Sequence, residues 1–187
     1  MAASAESCTS PAIAVNLPAG NFWAFSQLPG APDEFIKLME ITAVTKPFKN
    51  LTPFEIYAIL RLRNEIFVVE QNCVFQDADN KDQACHHLML YQNEELVAYA
   101  RLVPPGLAYP EMSIGRIVTS AKVRGTGVGQ QLMALAVEQA YCLFGEGAIR
   151  IGAQLYATGF YERFGFVVSG AIYDEDGIDH VQMVKAI

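Results

Sequence analysis

From Met1 to Ile36 the chain carries no lysine or arginine, and its first basic residue is Lys37. Nothing positive precedes the apolar part of this stretch, which Asn16, Pro18, Gly20 and Asn21 interrupt, so it makes a poor secretory leader and a poor membrane span. The missing arginine also disfavours a mitochondrial presequence. The four cysteines, Cys8, Cys73, Cys85 and Cys142, form no CxxC pair, which excludes the usual zinc spacings and a dense disulfide framework. Bases are scarce throughout: 13 Lys and Arg stand against 20 Asp and Glu, a formal net charge of −7. That balance argues against nucleic acid, which wants a basic face, and is compatible with a small cationic substrate without requiring one.

What is present is an ordinary globular composition, 52% hydrophobic and 18% charged. A length of 187 residues allows one well-filled core and is short for two. Residues 1–38, rich in Pro, Ala and Gly, are expected to be an unstructured appendage, either a linker added before a native start at Met39 or a natural extension; residues 39–187 form the domain. Cys73 and Cys142 are expected to serve as small core hydrophobes. A reducing, cytoplasmic setting follows as the simplest expectation.

The β-branched run EITAVT (40–45) predicts a first strand. Thr52, Pro53 and Glu55 then announce a helix, with Thr52 as N-cap, proline at the first turn and a capping box. Ile56, Ile59, Leu60, Arg63 and Phe67 are its expected buried stripe. HHLMLYQ and LVAYARLV around Asn93-Glu94-Glu95 read as a hairpin, and MSIGRIVTS as another strand. VGQQLMALAVEQAYCLF reads as a largely buried helix stopped by Gly145 and Gly147. AIRIGAQ, YATGFYERFG and HVQMVKAI follow as strand, short helix and closing strand. No internal repeat occurs. The class is mixed α+β around one sheet.

Between MSIGRIVTS and the long helix lies Arg124-Gly125-Thr126-Gly127-Val128-Gly129. Glycine costs conformational entropy, so three at alternate positions at a helix entrance imply backbone brought close to something bulky. A helix N-terminus offers unpaired N–H groups and partial positive charge, the makings of an anion site, and Arg124 can add a bidentate contact. A tight turn without ligand is the alternative. Gln130 and Gln131 stand where a P-loop needs Lys and Ser or Thr, and Gln130 where a dinucleotide fingerprint needs its third glycine.

Placed after the strand IGRIV, this loop resembles the coenzyme A pyrophosphate loop of the GNAT superfamily of N-acetyltransferases. IRIGAQ followed by FYERFGF is similar to that family's later strand and its Tyr-x-x-x-Gly-Phe segment, and RNEIFVVEQNC, ELVAYAR and YDEDGIDHVQM resemble the small bacterial ElaA-type branch. The likeness spans roughly residues 40–187. It implies a mostly antiparallel mixed sheet in which two parallel strands, IGRIV and IRIGAQ, splay apart around acetyl-CoA. Backbone of Arg116, Ile117 and Val118 would pair with the pantetheine arm, and the amides of Gly125, Gly127, Val128 and Gly129, with Arg124 and Thr126 beside them, would hold the pyrophosphate. Gln154 stands where many members carry Asn, which alters reach around the pantetheine. The family's relatives are often dimers.

The resemblance also assigns Tyr161 the role of proton donor to the departing thiolate, a hydroxyl ordinarily protonated at neutral pH; an amphipathic core tyrosine is the alternative. The acceptor would be a primary amine of a small molecule, peptide or protein. A lysine-like amine is mostly protonated at pH 7, a handicap of about 4–5 kcal/mol that a base or an acidic pocket should offset. Glu111, Glu70 and His87 are the candidates, each with a structural alternative: a solvated loop charge, a helix-end carboxylate and a strand residue satisfied by backbone. A water chain could also serve. A non-catalytic acyl-CoA sensor and a transferase of longer acyl chains are the competing readings.

Overall fold

The computed structural model describes residues 15–17 and 41–187. Nine strands form one sheet among these residues: β1 (Val15–Leu17), β2 (Ile41–Pro47), β3 (His86–Gln92), β4 (Glu95–Val103), β5 (Met112–Thr119), β6 (Ile149–Gln154), β7 (Val167–Val168), β8 (Tyr173–Glu175) and β9 (Ile178–Lys185). Their spatial order is β1-β2-β3-β4-β5-β6-β9-β7, with β8 paired to β9. The helices are α1 (Pro53–Arg63), α2 (Val128–Phe144) and the short α3 (Thr158–Glu162). No helix among the described residues is long and apolar enough to cross a membrane. The expected mixed α+β architecture is the one observed. Val15–Leu17, within the expected appendage, pairs antiparallel with β2, whose outer edge otherwise offers unpaired backbone groups. The rest of residues 1–38 lies outside the described residues.

Local chemistry accounts for the starts and stops. Thr52 Oγ1 accepts from Glu55 N at 3.2 Å and Glu55 Oε2 accepts from Thr52 N at 2.8 Å, so the capping box opens α1 as its residues predict. Beyond Arg63 the helix widens into a π-helical run over Asn64–Glu70. The buried stripe is Ile59, Leu62, Arg63 and Ile66, not the expected set: Leu60 is 39% exposed, because Ile59 sets the face and i+3, i+4 and i+7 follow it. Cys73 is buried as expected, whereas Cys142 is exposed, on the outer face of α2.

Period-two alternation divides the sheet's side chains between two cores. On β3 and β4, Leu88, Leu90, Ala98, Ala100 and Leu102 face α2 with its Leu132, Met133 and Ala136, while Met89 and Tyr99 face Ile59, Leu62 and Ile66. The β3–β4 turn has both Asn93 (φ 50°) and Glu94 (φ 65°) in the left-handed region, a type I′ geometry that matches the sheet's twist.

Two irregularities shape the middle of the sheet. Along β4–β5, Tyr99 faces Val118 and Arg101 faces Gly115, so β5 carries one extra residue there and bulges, with Arg116 at φ 49°. Strands β5 and β6 are parallel but paired only at Met112–Ile149 and Ser113–Arg150. Beyond those pairs they diverge, opening a V-shaped gap in the sheet.

Three strands escape the sequence reading: β1, inside the expected appendage, β7 and β8. β7 has two residues and no alternation to detect. β8 is joined to β9 by Asp176 (φ 54°) and Gly177 (φ 84°), an Asp-Gly pair that is a strong hairpin cue.

Candidate active site

A cavity of about 770 Å³ opens on the bulge and the gap. Arg116, Ile117 and Val118 of β5, Gln154 of β6 and Tyr161 of α3 all line it. Five of the sequence-predicted residues, from three elements, thus meet at one space. Glu70 and Arg124 line it as well.

Tyr161 is half-buried, its ring edge-on to Phe160 and Phe166 with centroids 5.1 and 6.3 Å away. Burial pushes its hydroxyl up to about 12, with a smaller contribution from Tyr156. A phenol in that state keeps its proton throughout the neutral range and can act only as a hydrogen-bond or proton donor there.

The glycine loop turns sharply into α2. Gly125 (φ 77°) and Gly127 (φ 90°) occupy conformations that side chains disfavour, and a Cβ at either would meet no atom within 4 Å. The loop's internal bonds run from Thr126 N and Oγ1 to Val123 O and from Gln130 N and Gln131 N to Gly127 O. They leave the amides of Gly125, Gly127, Val128 and Gly129 over, at the start of the 17-residue α2. Gly125, Thr126, Gly127, Val128 and Gly129 are not themselves among the residues that line the cavity. Arg124 carries the cavity's lining to the loop's edge.

The three candidate bases fare differently. Glu70 lines the cavity but chelates Arg124: Nη1 lies 2.8 Å from Oε1 and Nη2 3.0 Å from Oε2. Glu111 lies outside the cavity lining and is gripped at both oxygens by Arg150, at 2.7 and 3.0 Å; that guanidinium holds its carboxyl below the ordinary value. His87 is 1% exposed and also lies outside the cavity lining. Tyr99 Oη at 2.8 Å and Asp82 O at 3.0 Å occupy both its ring nitrogens, and burial lowers its pKa. Two of the three candidates therefore stay away from the reaction space, because arginine pairing and core burial claim them.

Arg116 turns its side chain into a network that sequence patterning did not disclose. Its Nε lies 2.8 Å from Asp77 Oδ1, and its guanidinium sits 5.8 Å from the Phe75 ring centre. Arg63 bridges Asp77 and Asp82 at 2.8 Å each, and Arg101 bridges Asp79 and Asp82 at 2.7 and 2.8 Å. The polar stretch QDADNKDQAC is thus tied down by three arginines behind the bulge, so the cavity floor is rigid and its charges are matched. Gln154 spans to the segment after the π-helical run, exchanging 3.3 Å amide bonds with Gln71, and accepts from Tyr156 Oη.

The acetyltransferase (GNAT) domain pattern matches residues 64–187, which contain the bulge, the glycine loop and Tyr161. The chain belongs to the GNAT acetyltransferase family. Within it, the ElaA protein of Escherichia coli is 39% identical over 140 residues, 74% of this chain and 92% of ElaA. The crystal structure of E. coli ElaA superposes with a TM-score of 0.70 at 36% identity, covering 78% of this chain and 99% of that one. An acyl-CoA N-acyltransferase from Pseudomonas aeruginosa gives 0.75 at 39% identity, over 78% and 99%. A GNAT family acetyltransferase from Elizabethkingia anophelis, solved with acetyl-CoA bound, shares the fold at 15% identity with a TM-score of 0.50, over 79% and 98%. Acyl-CoA use is general in this GNAT family, and the chain falls in its ElaA-like branch.

Proposed function

We propose that residues 39–187 act as an acetyl-CoA-dependent N-acetyltransferase, moving an acetyl group to a primary amine of a small molecule, peptide or protein. The observation that carries this reading is the meeting of Tyr161 with the bulged backbone of Arg116–Val118 in one cavity, at whose edge the open glycine loop begins. A regulatory acyl-CoA sensor would need the loop and the bulge but not a desolvated phenol facing the gap. We place this chemistry in the cytoplasm, with a homodimer as the proposed assembly.

The residues divide the work as follows. The amides of Gly125, Gly127, Val128 and Gly129 would hold the pyrophosphate, aided by the positive end of α2 and by Arg124 once it leaves Glu70. Backbone freed by the bulge at Arg116 and by the β5–β6 divergence would align the pantetheine arm and polarise the thioester carbonyl. Gln154, longer by a methylene than the family's Asn, would reach the same arm from β6. Acetyl-CoA supplies the activated acyl carbon and a sulfur leaving group. Tyr161 would deliver its proton to that sulfur as the C–S bond breaks.

Calorimetric titration with acetyl-CoA, followed by a mass-spectrometric screen of primary amines for gain of an acetyl group, tests the reading. Saturable binding and acetyl-CoA-dependent product are expected. Binding without acetylation of any amine would replace the enzyme with the sensor.

A further inference from the structure

The hairpin β8–β9 projects a histidine into the cavity that the candidate bases above do not include. His180 lines the space shared by Tyr161, Gln154 and Arg116. It stands directly across from Gln154 in the β6–β9 ladder and from Tyr173 in the β8–β9 ladder. Side chains directly opposite in an antiparallel pair point to the same face, so His180 and Gln154 look into the gap together. Their neighbours Ala153 and Val181 point the other way, into the core.

The ring is set up to accept a proton. Its Nδ1 lies 2.8 Å from Ile178 O, and a carbonyl can only accept, so the proton sits on Nδ1 and the lone pair on Nε2. No protein group among the described residues claims Nε2. Tyr173 stacks on the imidazole, with centroids 5.9 Å apart at an interplanar angle of 29°. The Tyr173 hydroxyl in turn lies over Gly152, only 2.9 Å from where a Cβ would be, so a side chain there would have to displace it.

We propose that His180 is the general base that deprotonates the attacking amine. This rests on the transferase reading. Nε2 takes one proton from the ammonium, giving a neutral amine. The nitrogen lone pair forms the N–C bond to the acetyl carbon as the C–S bond breaks; sulfur leaves with the bonding pair and takes the Tyr161 proton. A second N–H proton restores Tyr161 through solvent, and His180 releases the first to water. The amide, the free thiol and one proton are the products.

The charged lining is mixed, with Glu70, Asp79, Glu175 and Asp176 against Lys81, Arg101, Arg116 and Arg124. Glu175 on β8, Asp176 in the turn, and Tyr109 and Tyr156 across the cavity share the lining with His180. Burial raises Tyr173 to about 12, with Glu175 and Tyr109 adding to the shift, so the stacked ring stays uncharged. Glu70 is engaged by Arg124 and Asp79 by Arg101 and Arg116, which leaves Glu175, Asp176 and Lys81 as the charges of the lining outside ion pairs among the described residues, one more acid than base.

Ethylamine and 2,2,2-trifluoroethylamine test this, being similar in size while only the second is largely unprotonated at neutral pH. Thiol release from acetyl-CoA is followed for the wild type and His180→Gln, with calorimetric binding of acetyl-CoA measured alongside. H180Q should lose about 100-fold in kcat/KM for ethylamine. It should change little for trifluoroethylamine and bind acetyl-CoA as the wild type does. Equal losses for both amines, or none, would overturn the assignment and leave the transferase standing. If the wild type binds acetyl-CoA but acetylates neither of these amines nor any amine of the wider screen, the transferase reading falls and takes this base with it.

Discussion

Arg124 and Glu70 close on each other as a two-pronged ion pair at the mouth of the cavity, with Nη1–Oε1 at 2.8 Å and Nη2–Oε2 at 3.0 Å. One belongs to the loop expected to bind phosphate and the other to the π-helical run, 54 residues earlier. The pair is nearly half exposed, so it is weak, worth about 0–1 kcal/mol. An anion at the loop competes with Glu70 for the same guanidinium. Glu70→Gln should therefore tighten acetyl-CoA binding by about two- to fivefold, whereas Arg124→Ala should weaken it. Calorimetry at low and high salt checks both, and the gain in E70Q should shrink as salt rises.

Gly127 caps α2 at φ 90° with open space in front of it. Gly127→Ala should destabilise the fold by about 1–2 kcal/mol through backbone strain alone, visible as a lower urea midpoint. Gly127→Asp adds bulk and a negative charge where a pyrophosphate would sit, and should abolish acetyl-CoA binding. Unaltered binding in G127D would remove the loop from the cofactor's path.

Tyr161→Phe removes one oxygen and leaves the ring's edge-on contacts with Phe160 and Phe166 in place. Turnover should fall by about 100-fold with acetyl-CoA affinity retained. An unchanged kcat would make Tyr161 a packing residue.

Arg63 is fully buried and holds both Asp77 and Asp82. Arg63→Ala leaves Asp77 with Arg116 and Asp82 with Arg101 as remaining partners, and should cost about 3 kcal/mol, the low end for a broken buried pair, read from urea unfolding.

Acid should weaken the fold in two stages. Burial favours the neutral form of His87 and lowers its pKa below the ordinary 6.5, so the unfolded chain binds the proton more readily. That stabilisation is complete above 6.5 and is lost as pH falls. Burial would raise Asp79 and Asp82, but the hydrogen bonds and charges of Arg101, with the nearby charges of Arg116 and Arg63, outweigh it and hold both below the ordinary 3.8. Their contribution is complete above 3.8 and disappears as pH drops through the depressed folded values. Urea midpoints should decline modestly between pH 7 and 5 and steeply below about 4.

The residues by themselves settled much that acts over a few positions: the Thr52–Glu55 cap, the glycines at the head of α2, the hairpin around Asn93-Glu94-Glu95, and the sequence order in which Tyr161 follows the glycine loop. Each depends on hydrogen bonds or backbone restrictions within about one turn of chain. Tertiary structure decided which charges are available for chemistry. Glu111 is neutralised by Arg150, 39 residues later, and Glu70 by Arg124, 54 residues later, and no local rule pairs side chains across a sheet. The same holds for His180. Its place opposite Gln154 exists only because β9 returns between β6 and β7, and strand pairing is a long-range choice made by burial of the alternate residues Val181 and Met183.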